Sequence, residues 1–133
     1  IIKDQVGNFR NALLGETAPG LNLLNRPGNA YWFKGGGKNA FQNWMDNYNM
    51  PWIKRVVDRN DDVLVTNEVW IKSNIAEEID TDIWRPSITA YELRYLQKKR
   101  IKPKNLTTDQ WNQTQAILDE LDFGNYQFNG IEF

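Results

Sequence analysis

Lys34 and Lys38 bracket Gly35, Gly36 and Gly37 inside an aromatic stretch, AYWFKGGGKNAFQNWMDNY at residues 30–48. Consecutive glycines carry an entropic cost and bury nothing, so such a run serves a conformation or close approach that a Cβ would block. Cations on both sides and a helical pattern behind it give backbone N–H groups the setting of an anion cradle. The run is neither a GxxxxGK[ST] loop nor a GxGxxG fingerprint. A plain surface turn is the competing reading.

A second set is Asp62, Glu68 and Lys72. Two carboxylates and a lysine suit metal-assisted phosphodiester chemistry. On a strand rising about 3.3 Å per residue, however, Asp62 and Glu68 stand roughly 20 Å apart, too far to share one ion. Solvated charges on a strand face are the simpler reading, no metal ligand is assigned, and Glu68 is kept as a candidate general base. The third set is cationic and aromatic: Arg26, Lys34, Lys38, Lys54, Arg55 and Arg59 lie among Tyr31, Trp32, Phe33, Trp44, Tyr48 and Trp52. Bases stack on aromatic rings while Lys and Arg hold phosphates, but six tryptophans also build a small core. The basic run 98–104 reads as a helix C-terminus complementing its dipole, or as a steering patch. Glu77, Glu78, Asp80 and Asp82 read as a solvated acidic helix end.

Composition narrows the chemistry. The 133 residues contain no histidine and no cysteine, which removes imidazole bases, thiolate nucleophiles and zinc sites built on those ligands. A net charge of −1 supplies no global basic field, so any nucleic-acid binding must be local. No apolar run approaches the ~20 residues of a spanning helix, and no signal-peptide pattern is present. The length fits one domain, and a start at Ile1 suggests the C-terminal piece of a longer protein.

Positioning elements follow from periodicity. Apolar residues over 1–14 predict an opening helix, and residues 15–29 an irregular connector. Residues 39–49 predict a helix closed by Pro51, and residues 52–57 fit either a helical turn or a strand. Alternation predicts a strand over 63–72, with Val63, Val65, Val69 and Ile71 on one face, then a short helix over 73–80. Ser87 is a plausible N-cap for the next helix, with Ile88, Tyr91, Tyr95 and Leu96 facing inward. Thr107 and Gln110 have capping-box spacing for a final helix bearing Trp111, Leu118 and Leu121. Tyr126 and Phe128 suggest a closing strand. The mixture predicts an α+β domain, helices packed on a small, mostly antiparallel sheet.

Residues 35–68, GGGKNAFQNWMDNYNMPWIKRVVDRNDDVLVTNE, followed by SITAYELRYLQKKR at 87–100, resemble C-terminal effector domains of bacterial polymorphic toxins, the contact-dependent-inhibition and Rhs-type proteins. The resemblance covers about half the chain and rests on the Gly-rich entry, the aromatic helix, the Pro-Trp-Ile-Lys segment and the Arg-x-Asp-Asp turn. It implies delivery into a rival cell's cytosol as part of a secreted or surface protein, a cognate immunity protein as partner, and RNase, DNase or NAD-consuming activity. Many such nucleases use a histidine, so here catalysis would fall to other side chains. The expected activity is metal-independent cleavage of structured RNA such as tRNA, without a cofactor. In it Glu68 is the base, Lys34, Lys38 and Arg55 stabilise charge, and Tyr48 or Lys72 is the acid. Gly35, Gly36, Gly37, Trp32 and Arg26 complete the expected substrate contacts. An ADP-ribosyltransferase or NAD glycohydrolase is the alternative, with Arg26, Ser87-Ile88-Thr89 and Glu132 in that enzyme's order. A non-catalytic module of a phage or surface protein is the third.

Overall fold

The computed structural model describes residues 11–14, 42, 45–65 and 67–133, with the side chains at 11–14 and at Tyr48 outside that description. The fold is α+β. Strand β1 (Asn11–Leu14) pairs in parallel with β2 (Asp62–Val65), so a strand stands at 11–14, where periodicity predicts the end of a helix. A five-residue π-helical turn, Met45–Asn49, runs directly into α1 (Met50–Asp58). Pro51 does not end a helix here. It occupies the first turn of α1, where its missing N–H is no loss and its fixed φ suits helix entry. The 52–57 ambiguity resolves as helix, burying Trp52, Ile53 and Val56. Asn60 at φ 57° and Arg100 at φ 61° occupy left-handed backbone just past the ends of two helices, the usual stop for a helix without glycine.

Strand β2 is shorter than alternation suggests. Val63 and Val65 are buried, but Val69 N–H donates to the Asn67 carbonyl and Ile71 N–H to the Glu68 carbonyl, turning the chain. Asn74 Nδ2 holds the Glu68 carbonyl at 3.0 Å, fixing the turn from the far side. The edge of β2 not taken by β1 is occupied by polypeptide. Lys104 N–H donates to the Val63 carbonyl, and the Asn105 side-chain amide exchanges two hydrogen bonds with Val65 at 3.0 and 2.8 Å.

The predicted helix over 73–80 divides. One turn, α2 (Lys72–Ile75), leads into β3 (Ala76–Asp80), which forms a hairpin with β4 (Ile83–Pro86). The acidic residues therefore lie on a strand and its turn. Register places Glu78 opposite Trp84 and Asp80 opposite Ile83, leaving Ile79 as a bulged residue. Helix α3 (Ile88–Lys98) starts on the expected cap, with Ser87 Oγ accepting from Ala90 N–H at 3.2 Å. Helix α4 (Thr108–Glu120) starts on the reciprocal Thr107–Gln110 capping box. A short hairpin, β5 (Gln127–Phe128) and β6 (Ile131–Glu132), closes through Asn129 and Gly130, both at positive φ. That dipeptide is the type I′ turn that matches strand twist.

Helix α3 is the axis of the core. Ile88, Leu93, Tyr95 and Leu96 are fully or almost fully buried, against Ile53 and Val56 of α1 and Leu118 of α4. Trp111 is buried as its helical stripe predicts, whereas Trp44 lies outside the described residues.

Candidate functional site

The β3–β4 hairpin, α3 and the segment after α4 enclose a cleft of 490 Å³. The hairpin contributes Ile79, Ile83, Trp84, Arg85 and Pro86. Tyr91 comes from α3, and Asp122, Phe123, Asn125 and Tyr126 from the turn that follows α4. Three of the rings brace one another edge to face: Tyr91 lies 5.0 Å from Phe123 at 89° and 5.3 Å from Tyr126 at 88°. Edge-to-face packing fixes ring orientation through quadrupole complementarity, so the aromatic wall is set before any ligand arrives. Gly124 turns the chain at φ 63°, its N–H donating to Asp122 Oδ1 at 2.7 Å.

Both phenols are neutral at physiological pH. Burial pushes the Tyr91 hydroxyl up to about 12, with the Asp122 charge adding to it. Burial also raises Tyr126, whose hydroxyl donates to Asp46 Oδ1 at 2.7 Å. These groups can donate hydrogen bonds but are poor proton acceptors. Arg85 supplies the cleft's cation. Partial burial lowers its pKa and Glu77, directly across the ladder, opposes that shift.

The Lys72 ammonium lies 4.8 Å from the ring centroid of Trp84, a lining residue of the cleft, and 3.8 Å from Glu120. Among the described site residues expected from sequence, Lys72 contacts a lining residue of this cleft, Trp84. Glu68 is exposed in the turn after β2, and Arg55 is exposed on α1. Lys34, Lys38, Gly35, Gly36, Gly37, Trp32 and Arg26, and the Tyr48 side chain, lie outside the described residues. Ser87 is engaged as the α3 cap and is buried. Glu132 sits on β6, with its carboxylate near Gln127 Nε2 at 3.5 Å.

Sequence reasoning passed over Trp84-Arg85-Pro86 and Asp122-Phe123-Gly124-Asn125-Tyr126. Each puts aromatic and charged residues beside a turn-former, which was the available signal. It also passed over Glu92. That side chain is fully buried on α3, neither carboxyl oxygen has a close hydrogen-bond partner among the described residues, and burial pushes its pKa well above the usual carboxylate range. The neighbouring Asn49 side-chain amide opposes the shift, and Asn49 Oδ1 is itself buried without a partner among the described residues.

Among the described residues no group of three or more carboxylates is arranged to hold a metal ion. None of their helices is long and apolar enough to cross a membrane. No family model, curated relative or solved structure matches the chain significantly.

Proposed function

We propose that this chain is a toxin effector domain of the polymorphic-toxin kind, delivered as part of a larger secreted or surface protein. Its activity in the target cytosol is metal-independent cleavage of structured RNA such as tRNA. The observation that carries the reading is the Lys72 ammonium laid over Trp84, a wall residue of an aromatic cleft that also holds Arg85. Rings take the face of an unstacked base, and cations take the adjoining phosphate. In the cleavage step a base removes the 2′-hydroxyl proton and the oxygen attacks phosphorus. The 5′-oxygen then leaves with a proton, giving a 2′,3′-cyclic phosphate and a free 5′-hydroxyl. Glu68, four residues before Lys72, is the proposed base. Lys72 serves as acid or charge stabiliser, and Lys34 and Lys38 are further cations for the phosphorane.

A specific observation favours a second reading, an NAD-consuming effector. The cleft is the size of a nucleotide pocket, and Asp122 together with the hairpin carboxylates makes its surroundings acidic. Carboxylates repel a polyanion but attract a pyridinium ring, which aromatic faces also favour. Incubation with purified tRNA in EDTA, and separately with NAD, distinguishes the two. New RNA ends with cyclic phosphate support the first. Release of nicotinamide supports the second, and neither product leaves a non-catalytic binding module.

A further inference from the structure

Some of the hairpin's most prominent residues serve neither reading of the cleft. Among the described residues the large apolar side chains most open to solvent are Ile71, Ile79 and Ile83, and the last two are both on the hairpin and both on the cleft wall. Ile79 is 43 % and Ile83 52 % exposed. Ile79 is the bulged residue of the ladder, and a bulge re-aims a side chain that regular pairing would direct elsewhere. Exposed carboxylates flank this pair along the hairpin: Glu78 and Asp80 on β3, the latter paired with Ile83, and Asp82 in the turn. The turn is held by its own hydrogen bonds, with Thr81 N–H donating to Asp80 Oδ1 at 2.8 Å and Asp82 N–H to Glu78 Oε2 at 3.1 Å. The hairpin therefore offers a fixed apolar lip inside an acidic frame. Aliphatic side chains offer little to a base or a phosphate, so this lip serves a different contact from the rings and cations of the cleft.

We infer that the β3–β4 hairpin is the docking surface for a protein partner that presents basic and apolar side chains together. Its apolar residues pack on Ile79 and Ile83, and its cations face Glu78, Asp80 and Asp82. Such a partner closes the mouth of the cleft, because the lip it occupies is the cleft's own wall. This deepens the effector reading and rests on it, the partner being the neutralising protein that a toxin domain requires. The charge sense differs from what the basic run 98–104 alone suggests, which is an acidic partner. The two surfaces belong to different elements, so they can be tested separately. Electrostatic complementarity of this kind acts mainly on association rate and its salt dependence, while the apolar contacts set dissociation.

The test uses the full chain and the product of the gene immediately downstream of its own, co-expressed and then measured by biolayer interferometry. The wild-type chain should form a complex whose association rate falls steeply with added salt. The double variant Asp80→Lys/Ile83→Lys should weaken binding at least 100-fold, with a melting temperature within a few degrees of wild type. The control variant Lys98→Glu/Arg100→Glu should bind as wild type does. A single Ile83→Ala variant, which keeps every charge, should lose about tenfold through faster dissociation, so that a misfolded double variant would not decide the matter. A complex that survives both hairpin variants but is lost in the basic-run variant overturns the inference and leaves the effector reading standing. No complex with the wild-type chain overturns the effector reading, and the inference with it.

Discussion

Helix α3 faces two regions built on different terms. Toward the C-terminal half, polar groups are matched. Arg94 donates from Nε and Nη2 to the Phe133 carbonyl at 3.2 and 3.0 Å, and from Nη1 to Asp119 at 2.8 Å and Gln97 at 2.7 Å. Thr114 returns its hydroxyl to the Gln110 carbonyl at 2.8 Å. Toward the π-helical turn and α1, the same helix meets a seam of unmatched groups. Asn49 Oδ1, Trp52 Nε1, both Glu92 oxygens and the Tyr95 hydroxyl are buried without hydrogen-bond partners among the described residues. Each such group forfeits its hydration for nothing gained in the fold. The C-terminal half stabilises the domain, and the seam works against it. A π-helical turn interrupts the α-helical ladder at the seam's edge, a feature that recurs at functional positions.

The largest test of that contrast is in the matched half. Trp111→Ala removes a buried ring and should cost about 3–5 kcal/mol, read as a lower denaturant midpoint. Arg94→Ala should cost about 2–3 kcal/mol, because it strips charge-assisted bonds that hold the last residue to α3 and α4. A loss near zero would show that the C-terminus contributes little and would erase the distinction.

Glu92→Gln tests the other side, with the opposite sign. The folded carboxyl keeps its proton above the ordinary value of 4.5 because burial disfavours the charge. The stability tied to its neutral form is complete below that value and is lost as pH rises toward the elevated folded value. Wild-type melting temperature should therefore fall on going from about pH 4.5 upward. Gln cannot ionise, so the variant should be flatter with pH, roughly 3–6 °C more stable at pH 7 and little different below pH 4.5. A destabilised Gln variant with unchanged pH slope would mean the carboxyl is well partnered. Thr107→Ala is the smallest change, about 1 kcal/mol from loss of the capping box.

Local signals reported local structure well. Ser87 and Thr107 predict helix starts because a cap is a three-residue event, and both starts are observed. Pro51 is ambiguous by nature: proline ends one helix and opens the next, and only the π-to-α junction shows which. The 63–72 alternation overran because a period of two continues through a turn whose cause, the Asn74 amide on the Glu68 carbonyl, lies six residues away. Asn129-Gly130 was a readable hairpin signal that the closing-strand reading passed over. The candidate cleft was mostly illegible. Its rings come from 84, 91, 123 and 126, and no sequence spacing brings a hairpin beside the turn after α4. Glu92 looks like any exposed helical glutamate until packing surrounds it on every side.

In the proposed mechanism the Lys72 cation over Trp84 acts on substrate. The direct measurement is the rate of tRNA cleavage in EDTA by the wild-type chain and by Lys72→Ala, with melting temperatures taken in parallel. Lys72 is a partly exposed side chain whose ion pair with Glu120 is long, so its loss should move the melting temperature by no more than a few degrees. Removing one group that stabilises transition-state charge typically costs about 100- to 1,000-fold in rate. The mechanism predicts cleavage by wild type and a drop of that order in the variant. Equal cleavage by both proteins, or intact tRNA and intact NAD with the wild-type chain, would contradict it.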